Sequence, residues 1–320
     1  MKIAAITAAS LAVFGGVTAA GRSSNGCTPP PNVPSAPDAA ADNAPLPQDA
    51  AAVADGAGGA GATNDAAAVG PCDFVGPRVV FGSGKRRSPR IVGGTGAPEG
   101  KYPFAVALTT STRFQYCGGT LLSPRHVLTA AHCQVGVGDL ALVGSVDLNK
   151  SRSARVVESR IHRFYDTDTM DNDVAIAVLG EDAASSSFVT LATISPGTAT
   201  TIGWGATREG GPSTSFLQQV DVPVWSSTDC RRVYPSLTDR QVCAGRVLGG
   251  ADSCQGDSGG ALLVAEETTA SLSAASQPAR WWRQLGVVSY GVGCARPNVP
   301  GVYTDLRAPE IQRWIAACTR

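Results

Sequence analysis

The sequence has no net charge, few aromatic residues and few histidines, and each shortage narrows what the protein can be. Its 26 basic and 26 acidic residues cancel, so the composition gives no reason to expect nucleic acid or an anionic membrane as a partner. Aromatic residues make up only 6% of the chain, whereas glycine (37) and proline (21) are plentiful. This balance favours a turn-rich β protein, a disordered segment, or both. A chain of 320 residues with 43% hydrophobic content can still bury a substantial core.

The apolar stretch at the N-terminus is short and rich in Ala, Gly and Thr, which argues against a transmembrane anchor. Residues 1–20 read MKIAAITAASLAVFGGVTAA, a single lysine followed by an apolar run that ends in small residues. This pattern predicts a secretory signal peptide and a secreted, extracellular protein. An exported chain meets an oxidising environment, so most of the nine cysteines are expected in disulfides. Cys27 is a candidate lipid-anchor site, but the preceding SSNG lacks the leucine of a lipobox.

Residues 28–70 consist mainly of Ala, Pro, Gly and Asp, with almost no large apolar side chains. Such a segment cannot bury enough surface to offset its ordering entropy, which predicts a disordered linker. From Ile91 onward, short apolar or alternating runs such as YPFAVALTT and QLGVVSYGV recur between turn signals. These are typical of β-strands. Helical periodicity is strong only in the terminal APEIQRWIAAC, so the prediction is an all-β domain with a C-terminal helix.

The stretch DSCQGDSGG, residues 252–260, places a serine among acids and glycines. It contains G-x-S-x-G, which also marks the nucleophile of α/β-hydrolases, but in that fold the catalytic histidine follows the serine. All three histidines, His126, His132 and His162, precede Ser258. The α/β-hydrolase interpretation is therefore excluded.

A serine hydroxyl becomes a nucleophile near neutral pH when a base takes its proton and an acid orients that base. His132, in LTAAHC, and Asp173, directly before the apolar run VAIAVL, give the order His, Asp, Ser. This is the order of the chymotrypsin triad. Among the alternatives, His126 is interpreted as structural, and His162 and Asp171 as solvent-exposed.

From about Ile91 to the C-terminus the chain resembles the trypsin-like, chymotrypsin-fold serine proteases. The resemblance rests on stretches that occur in the family's order: RIVGG, CGGTLLSPRHVLTAAHC, DNDVAI, GWG, VCAGRVLGGADSCQGDSGG, VVSYGVGCARPNVPGVYT and IQRWI. It implies two six-stranded antiparallel β-barrels with the active site between them, followed by the C-terminal helix. The predicted organisation is thus a signal peptide (1–20), a disordered linker (21–71), an activation pro-segment (72–90) and a protease domain (91–320).

The resemblance also implies roles around the triad. The backbone N–H groups of Gly256 and Ser258 would form the oxyanion hole, and Ser289 would support Asp173 beside the substrate. Asp252 would lie at the base of the specificity pocket and select arginine or lysine. Gly291 and Gly301 would form the pocket walls.

Cleavage between Arg90 and Ile91 would activate the enzyme, according to the same resemblance. The new α-amino group of Ile91 would enter the domain and pair with Asp257. One position departs from the family pattern: Gln115 stands where a histidine is frequent. How the side chain of Asp257 is held in the uncut chain is therefore left open.

By resemblance, three disulfides are expected: Cys117–Cys133, Cys230–Cys243 and Cys254–Cys294. Cys72 and Cys318 are candidates for a fourth that keeps the pro-segment attached.

GSVDLNKSRSARVVE lacks a clear pair of carboxylates, so neither a metal nor a cofactor is expected. The expected partners are protein or peptide substrates with Arg or Lys at the cleaved bond, and protein protease inhibitors, with the enzyme a monomer. Residues 264–284 are interpreted as a long surface loop, and the alternative function is a catalytically silent module that binds a partner.

Overall fold

In a computed structural model of the protein, the described residues are 72, 93–206, 211, 213–254, 256–267 and 280–320. The predicted signal peptide and linker, Arg90, Ile91 and all of the predicted pro-segment except Cys72 lie outside them. The described part is mostly β, which confirms the predicted fold class. Its strands and helices are β1 Thr95–Gly96, β2 Ala105–Thr109, β3 Gln115–Ser123, β4 His126–Thr129, a 3-10 turn Ala131–Cys133, β5 Leu140–Val143, β6 Arg152–Ile161, β7 Ala175–Leu179, β8 Thr190–Leu191, β9 Thr198–Gly203, β10 Gln218–Pro223, α1 Ser227–Val233, β11 Gln241–Ala244, β12 Ala261–Glu267, β13 Arg280–Tyr290, β14 Gly301–Asp305 and α2 Pro309–Cys318.

The first half of the domain is a closed barrel of six antiparallel strands in the order β2-β3-β4-β7-β6-β5. Closure leaves no free strand edge, and alternate side chains fill the interior. Large residues of this core, Leu108, Leu121, Leu128, Leu142 and Ile176, are almost completely buried. The barrel provides a rigid base for the loops at its rim.

The second half is an eight-stranded sheet in which six strands follow the order β10-β9-β12-β13-β14-β11. An isolated bridge between Val224 and Ala244 joins the two end strands of this path. Backbone hydrogen bonds from Trp225 to Cys243 (2.9 Å) and from Gly245 to Pro223 (3.0 Å) reinforce it. The six strands therefore close into a second ring at this point, while β1 pairs with β10 and β8 runs parallel to β13.

Both helices have recognisable sequence causes. Helix α2 starts with Pro309 at its first turn and buries Ile311, Trp314 and Ile315 on one face, as its periodicity predicts. Helix α1 is a feature that the sequence interpretation missed. Its N-cap, Ser226, accepts a hydrogen bond from the backbone N–H of Asp229 at 3.0 Å, which is a signature that SSTD offers.

The interpretation of residues 264–284 as a loop is wrong at both ends of the segment. β12 and β13 continue to pair there, from Leu263↔Gln284 to Glu267↔Arg280. The tip of this hairpin lies outside the described residues. The extended strands make the insertion a hairpin arm rather than a simple loop.

Four disulfides join cysteines of the described part of the chain: Cys117–Cys133, Cys230–Cys243, Cys254–Cys294 and Cys72–Cys318. The first three match the expected pairs, and the last is the candidate bridge between the pro-segment and the end of α2. Cys27 lies outside the described residues. Within those residues, none of the helices combines the length and the hydropathy needed to cross a membrane.

Candidate active site

A histidine and a buried carboxylate meet where two loops of the first barrel converge. His132 lies in the 3-10 turn after β4, and Asp173 lies two residues before β7. The Nδ1 of His132 is 2.7 Å from Asp173 Oδ2, and the backbone N–H of His132 donates to Asp173 Oδ1 at 2.9 Å. The Asp173 side chain is fully buried, whereas that of His132 is 23% exposed. With Nδ1–H donated to a carboxylate, a neutral imidazole keeps its lone pair on Nε2, where it can accept a proton.

The second barrel supplies the remaining partners of Asp173. Ser289, on β13, donates its hydroxyl to Asp173 Oδ2 at 2.5 Å. Thr304, on β14, donates to the backbone carbonyl of Asp173 at 2.8 Å. The Ser289 hydroxyl satisfies the buried carboxylate, and Thr304 binds the backbone of the same residue, so Asp173 of one barrel is held by strands of the other. Ser289 was anticipated from the sequence, but nothing in GVYTDL singled out Thr304.

The loop that carries Ser258 packs directly on the segment that precedes His132. The Ser258 carbonyl accepts a hydrogen bond from the N–H of Gly118 at 2.7 Å. A β-carbon at Gly259 would overlap Thr129 Oγ1 and lie 2.6 Å from the carbonyl oxygen of Gly118, and φ of Gly259 is +77°. Glycine is required there on both counts. The loop thus reaches the histidine segment, which the Cys117–Cys133 bridge ties to β3.

The same loop is also tied to the strand that holds Ser289. The N–H of Gly259 donates to the carbonyl of Val288 at 2.8 Å, and the N–H of Val288 donates to the carbonyl of Gly260 at 3.0 Å. Val288 is the residue before Ser289. The segments of His132, Asp173 and Ser258 are therefore connected through a few short hydrogen bonds.

Asp257 is completely buried next to Ser258. Its two carboxylate oxygens accept hydrogen bonds from the N–H groups of Gly205 (2.8 Å) and Cys254 (3.0 Å). Burial nevertheless raises the pKa of Asp257 to about 8, and no ion pair joins this carboxyl to a cation among the described residues. A β-carbon at Gly205 would lie 2.5 Å from the carboxyl carbon and one at Gly203 would overlap Oδ1, which explains both glycines of the GWG stretch.

Asp252, which the family resemblance places at the base of a substrate recess, is 4% exposed. Burial raises the pKa of its carboxyl to about 7. A β-carbon at Gly301 would lie 2.8 Å from Asp252 Oδ1, and one at Gly291 would lie 3.8 Å from the α-carbon of Gly301. The structure thus brings these three predicted pocket residues together. The Cys254–Cys294 bridge lies beside them.

Two residues that the sequence interpretation placed in solvent are buried. His162 is 6% exposed and packs against Trp314 of α2, with 5.0 Å between ring centroids, and burial lowers its pKa to about 4. Asp171 is 8% exposed and forms an ion pair with Arg240, while the Thr238 hydroxyl donates to it at 2.7 Å. Burial raises the pKa of Asp171, but these donors outweigh that effect and the net shift is downward. Both corrections involve partners that are distant in the sequence.

Within the described residues, one group of side chains has the proximity of metal ligands: Cys117, His132 and Cys133. Both sulfurs belong to a disulfide, so neither is a thiolate that could bind a metal.

Comparisons with known proteins agree with this geometry. A family model described as Trypsin matches residues 91–315. The chain is 38% identical over 230 residues to "Trypsin" of Saccharopolyspora erythraea, which covers 68% of this chain and 94% of the relative. It is 36% identical over 226 residues to "Trypsin-like protease" of Streptomyces glaucescens, covering 68% and 78% of the two chains. It is 34% identical over 237 residues to "Trypsin-1" of Astacus astacus, covering 68% and 95%.

Proposed function

Because the chain belongs to the trypsin family of serine proteases, we propose that it is a secreted endopeptidase, made as a precursor, that cuts after arginine or lysine. Membership of this family implies protein or peptide substrates. The observation that carries the proposal is the buried Asp173 held against His132 at 2.7 and 2.9 Å, beside the tightly packed loop of Ser258. No other described histidine contacts a buried carboxylate in this way next to a serine of the matching motif.

The proposed reaction starts with attack of Ser258 Oγ on the carbonyl carbon of the scissile bond. His132 Nε2 takes the hydroxyl proton and then gives it to the leaving amine, which departs from the acyl-enzyme. Water, deprotonated by His132, attacks the acyl carbon; the bond from that carbon to Ser258 Oγ then breaks, Oγ takes the proton back from His132, and the acid product leaves. Asp173 fixes the tautomer of His132 and stabilises the imidazolium that forms in both steps.

The oxyanion of each tetrahedral intermediate would be bound by the backbone N–H groups of Gly256 and Ser258. Two fixed donors near a developing negative charge stabilise the transition state without reorganising. Gly256 has φ +86°, and the N–H of Asp257 closes a turn onto the carbonyl of Cys254 at 3.0 Å. A positive φ at the third residue of a turn suits glycine, which supports this assignment.

Selectivity for arginine or lysine is proposed to arise from Asp252. A buried carboxyl with a raised pKa gains most from a cation that enters the recess with it. Gly291 and Gly301 leave room for a long side chain, because a β-carbon at Gly301 would crowd the carboxyl. A neutral side chain would leave the ionised acid without a partner, and this penalty excludes it.

Activation is proposed to follow cleavage at Arg90–Ile91. The buried Asp257 carboxyl, with a pKa of about 8, needs a cation to be ionised at neutral pH. The α-amino group of Ile91, freed by cleavage, is the proposed partner. Because Arg90 itself fits the proposed specificity, the enzyme can activate itself.

The cellular location is proposed from the covalent structure. Disulfides persist in oxidising compartments, and four of them are present in the described domain. Together with the predicted signal peptide, they support secretion. We further propose that the active enzyme is a monomer and a target for protein protease inhibitors.

The test uses the full chain, cut at Arg90–Ile91 and freed of the activating protease. Arginyl, lysyl and phenylalanyl amide substrates are assayed in parallel, with S258A prepared in the same way as the control. The proposal predicts turnover of the first two substrates, little turnover of the third and none by S258A. Folded, cut protein that turns over none of the three would contradict it and would favour the silent binding module.

A further inference from the structure

We propose that Gln115 is a positioning residue for the oxyanion hole, an inference that rests on the proposed function. Gln115 opens strand β3, and its side chain is buried. Its Nε2 donates to the carbonyl oxygen of Gly256 at 2.8 Å and to that of Cys117 at 3.0 Å. One amide group therefore joins the first barrel to the residue whose N–H would bind the oxyanion.

The contact adds a second hydrogen bond to a peptide group that follows a conformationally permissive glycine. Glycine has the widest choice of backbone conformations, and Gly256 has φ +86°. The peptide between Gly256 and Asp257 is bound on both sides, its carbonyl by Gln115 and its N–H by the carbonyl of Cys254 at 3.0 Å. With this peptide held, the orientation of the neighbouring Gly256 N–H is restricted as well. Catalytic N–H groups stabilise a transition state only when they are already aimed at it.

The chemistry of the Gln115 side chain indicates that it acts as a hydrogen-bond donor and does not merely fill space. Gln115 Oε1 is buried and has no hydrogen-bond partner among the described residues. An unpaired buried acceptor is unfavourable, and an apolar side chain of similar size would avoid it. What glutamine adds at this position is the pair of hydrogen bonds that Nε2 donates. The bridge from Cys117 to Cys133 connects the same strand to the turn of His132.

The role differs from that of the catalytic residues, because Gln115 touches the oxyanion loop and not the substrate recess. The hydrogen bonds that the Gln115 amide donates go to Cys117 and Gly256 and not to Asp252, the residue proposed for the base of that recess. Loss of the amide is therefore expected to weaken binding of the transition state while leaving the binding of the substrate's cationic side chain unchanged. This separation gives the test its readout.

The experiment compares wild type, Q115M and T120V as processed enzymes. Methionine has a similar shape but no donor. Thr120 is the matched control, because it lies on the same strand and donates a buried hydrogen bond, at 2.6 Å, to Gln284 instead of the oxyanion loop. Two inhibitors separate the effects: benzamidine fills the Asp252 recess alone, whereas a peptide arginine aldehyde forms a hemiacetal with Ser258 whose oxygen occupies the oxyanion hole.

Deleting an oxyanion donor lowers kcat about 10²–10³-fold, so loosening one is expected to lower kcat about tenfold in Q115M. KM and the benzamidine Ki should stay within about twofold, while the aldehyde Ki rises by about the same factor as kcat falls. T120V should keep the wild-type kcat. An unchanged kcat in Q115M, or equal losses with both inhibitors, overturns the role of Gln115. An inactive wild type overturns the proposed function, and this inference with it.

Discussion

Asp252 and Asp257 lie five residues apart in the chain, and both are buried carboxyls with raised pKa values. Their surroundings separate their roles. Asp252 lies against Gly301, and its cation is proposed to come from a ligand. Asp257 is enclosed by Gly203 and Gly205, and its proposed cation is the α-amino group of Ile91, which the chain itself supplies. The same chemical group is thus proposed to serve substrate selection in one place and activation in the other.

The pKa of Asp252 predicts how cation binding depends on pH. Above its pKa of about 7 the carboxyl is ionised and attracts benzamidine; below it, protonation removes the charge. The Ki of benzamidine should therefore rise by about tenfold per pH unit as the pH falls below 7. Equilibrium binding to the processed enzyme, followed from pH 5 to pH 9, measures this directly. D252N should bind weakly at every pH, and a flat wild-type profile through pH 7 would refute the assignment.

Gly259 predicts a stability effect at a single α-carbon. In G259A the new methyl group would overlap Thr129 Oγ1, and the residue would be held at φ +77°. The left-handed conformation alone costs about 1–2 kcal/mol, and the overlap adds to it. Urea unfolding should show G259A to be less stable by more than about 2 kcal/mol. G197A is the control, because nothing lies within 4 Å of its β-carbon; equal stability of the two variants would contradict the packing described.

At the scale of elements, a loop of the first barrel and two strands of the second meet at Asp173. Ser289 and Thr304 reach it from β13 and β14. Next to it, Asp171 binds Arg240, which precedes β11 and also contacts Glu310 of α2 at 3.4 Å. The segment that carries Asp173 is therefore held by contacts among a first-barrel loop, a second-barrel loop and a helix.

This junction predicts that D171N is destabilising. The Asp171 side chain is 12% exposed and has Arg240 and Thr238 as donors. Losing the charge should lower the free energy of unfolding by about 1–3 kcal/mol. The control is D239N, which breaks the ion pair with Arg231 where the Asp239 side chain is 89% exposed. Because exposed pairs contribute little, D239N should change stability by less than about 1 kcal/mol. Similar losses of unfolding free energy in the two variants would show that the buried pair stabilises the fold no more than the exposed pair does.

Sequence patterns were most informative where the structural cause is local. The helix α2 follows from the spacing of Ile311, Trp314 and Ile315, and the contact of His132 with Asp173 joins two short motifs. The burial of Asp171 could not be predicted in this way, since its partner Arg240 is 69 residues further along the chain. The same holds for His162 and Trp314. The sequence shows that Gln115 departs from the family pattern, but its contact with Gly256 exists only once the barrels are packed.

At the scale of the whole molecule, one covalent bond links the ends of the described chain. Cys72 joins Cys318, the last residue of α2, over a separation of 246 residues. Arg160 donates to the carbonyl of Cys318 at 2.6 Å, which anchors this end of the helix to the first barrel. Cys72 lies on the N-terminal side of the proposed cleavage site, and Cys318 lies on its C-terminal side. Cutting at Arg90–Ile91 should therefore not release the N-terminal piece.

A gel measures this consequence. Processed wild type should migrate as one species without reductant and as two with it, whereas C72A should separate into two species under both conditions. C230A is a suitable comparison, because it removes a bridge within the domain and should not release the piece. Release of the N-terminal piece from wild type without reductant would rule out the tether.

The central claim is that His132 and Asp173 make Ser258 reactive. The most direct measurement is labelling of the processed enzyme with diisopropyl fluorophosphate, followed by mass spectrometry of its peptides, with H132A as the comparison. If His132 and Asp173 activate Ser258, one label per molecule is expected, on Ser258, at a rate that falls by about 10³-fold or more in H132A. Folded wild type that takes up no label, or takes it up on another residue, would contradict the proposed activation of Ser258 by His132 and Asp173.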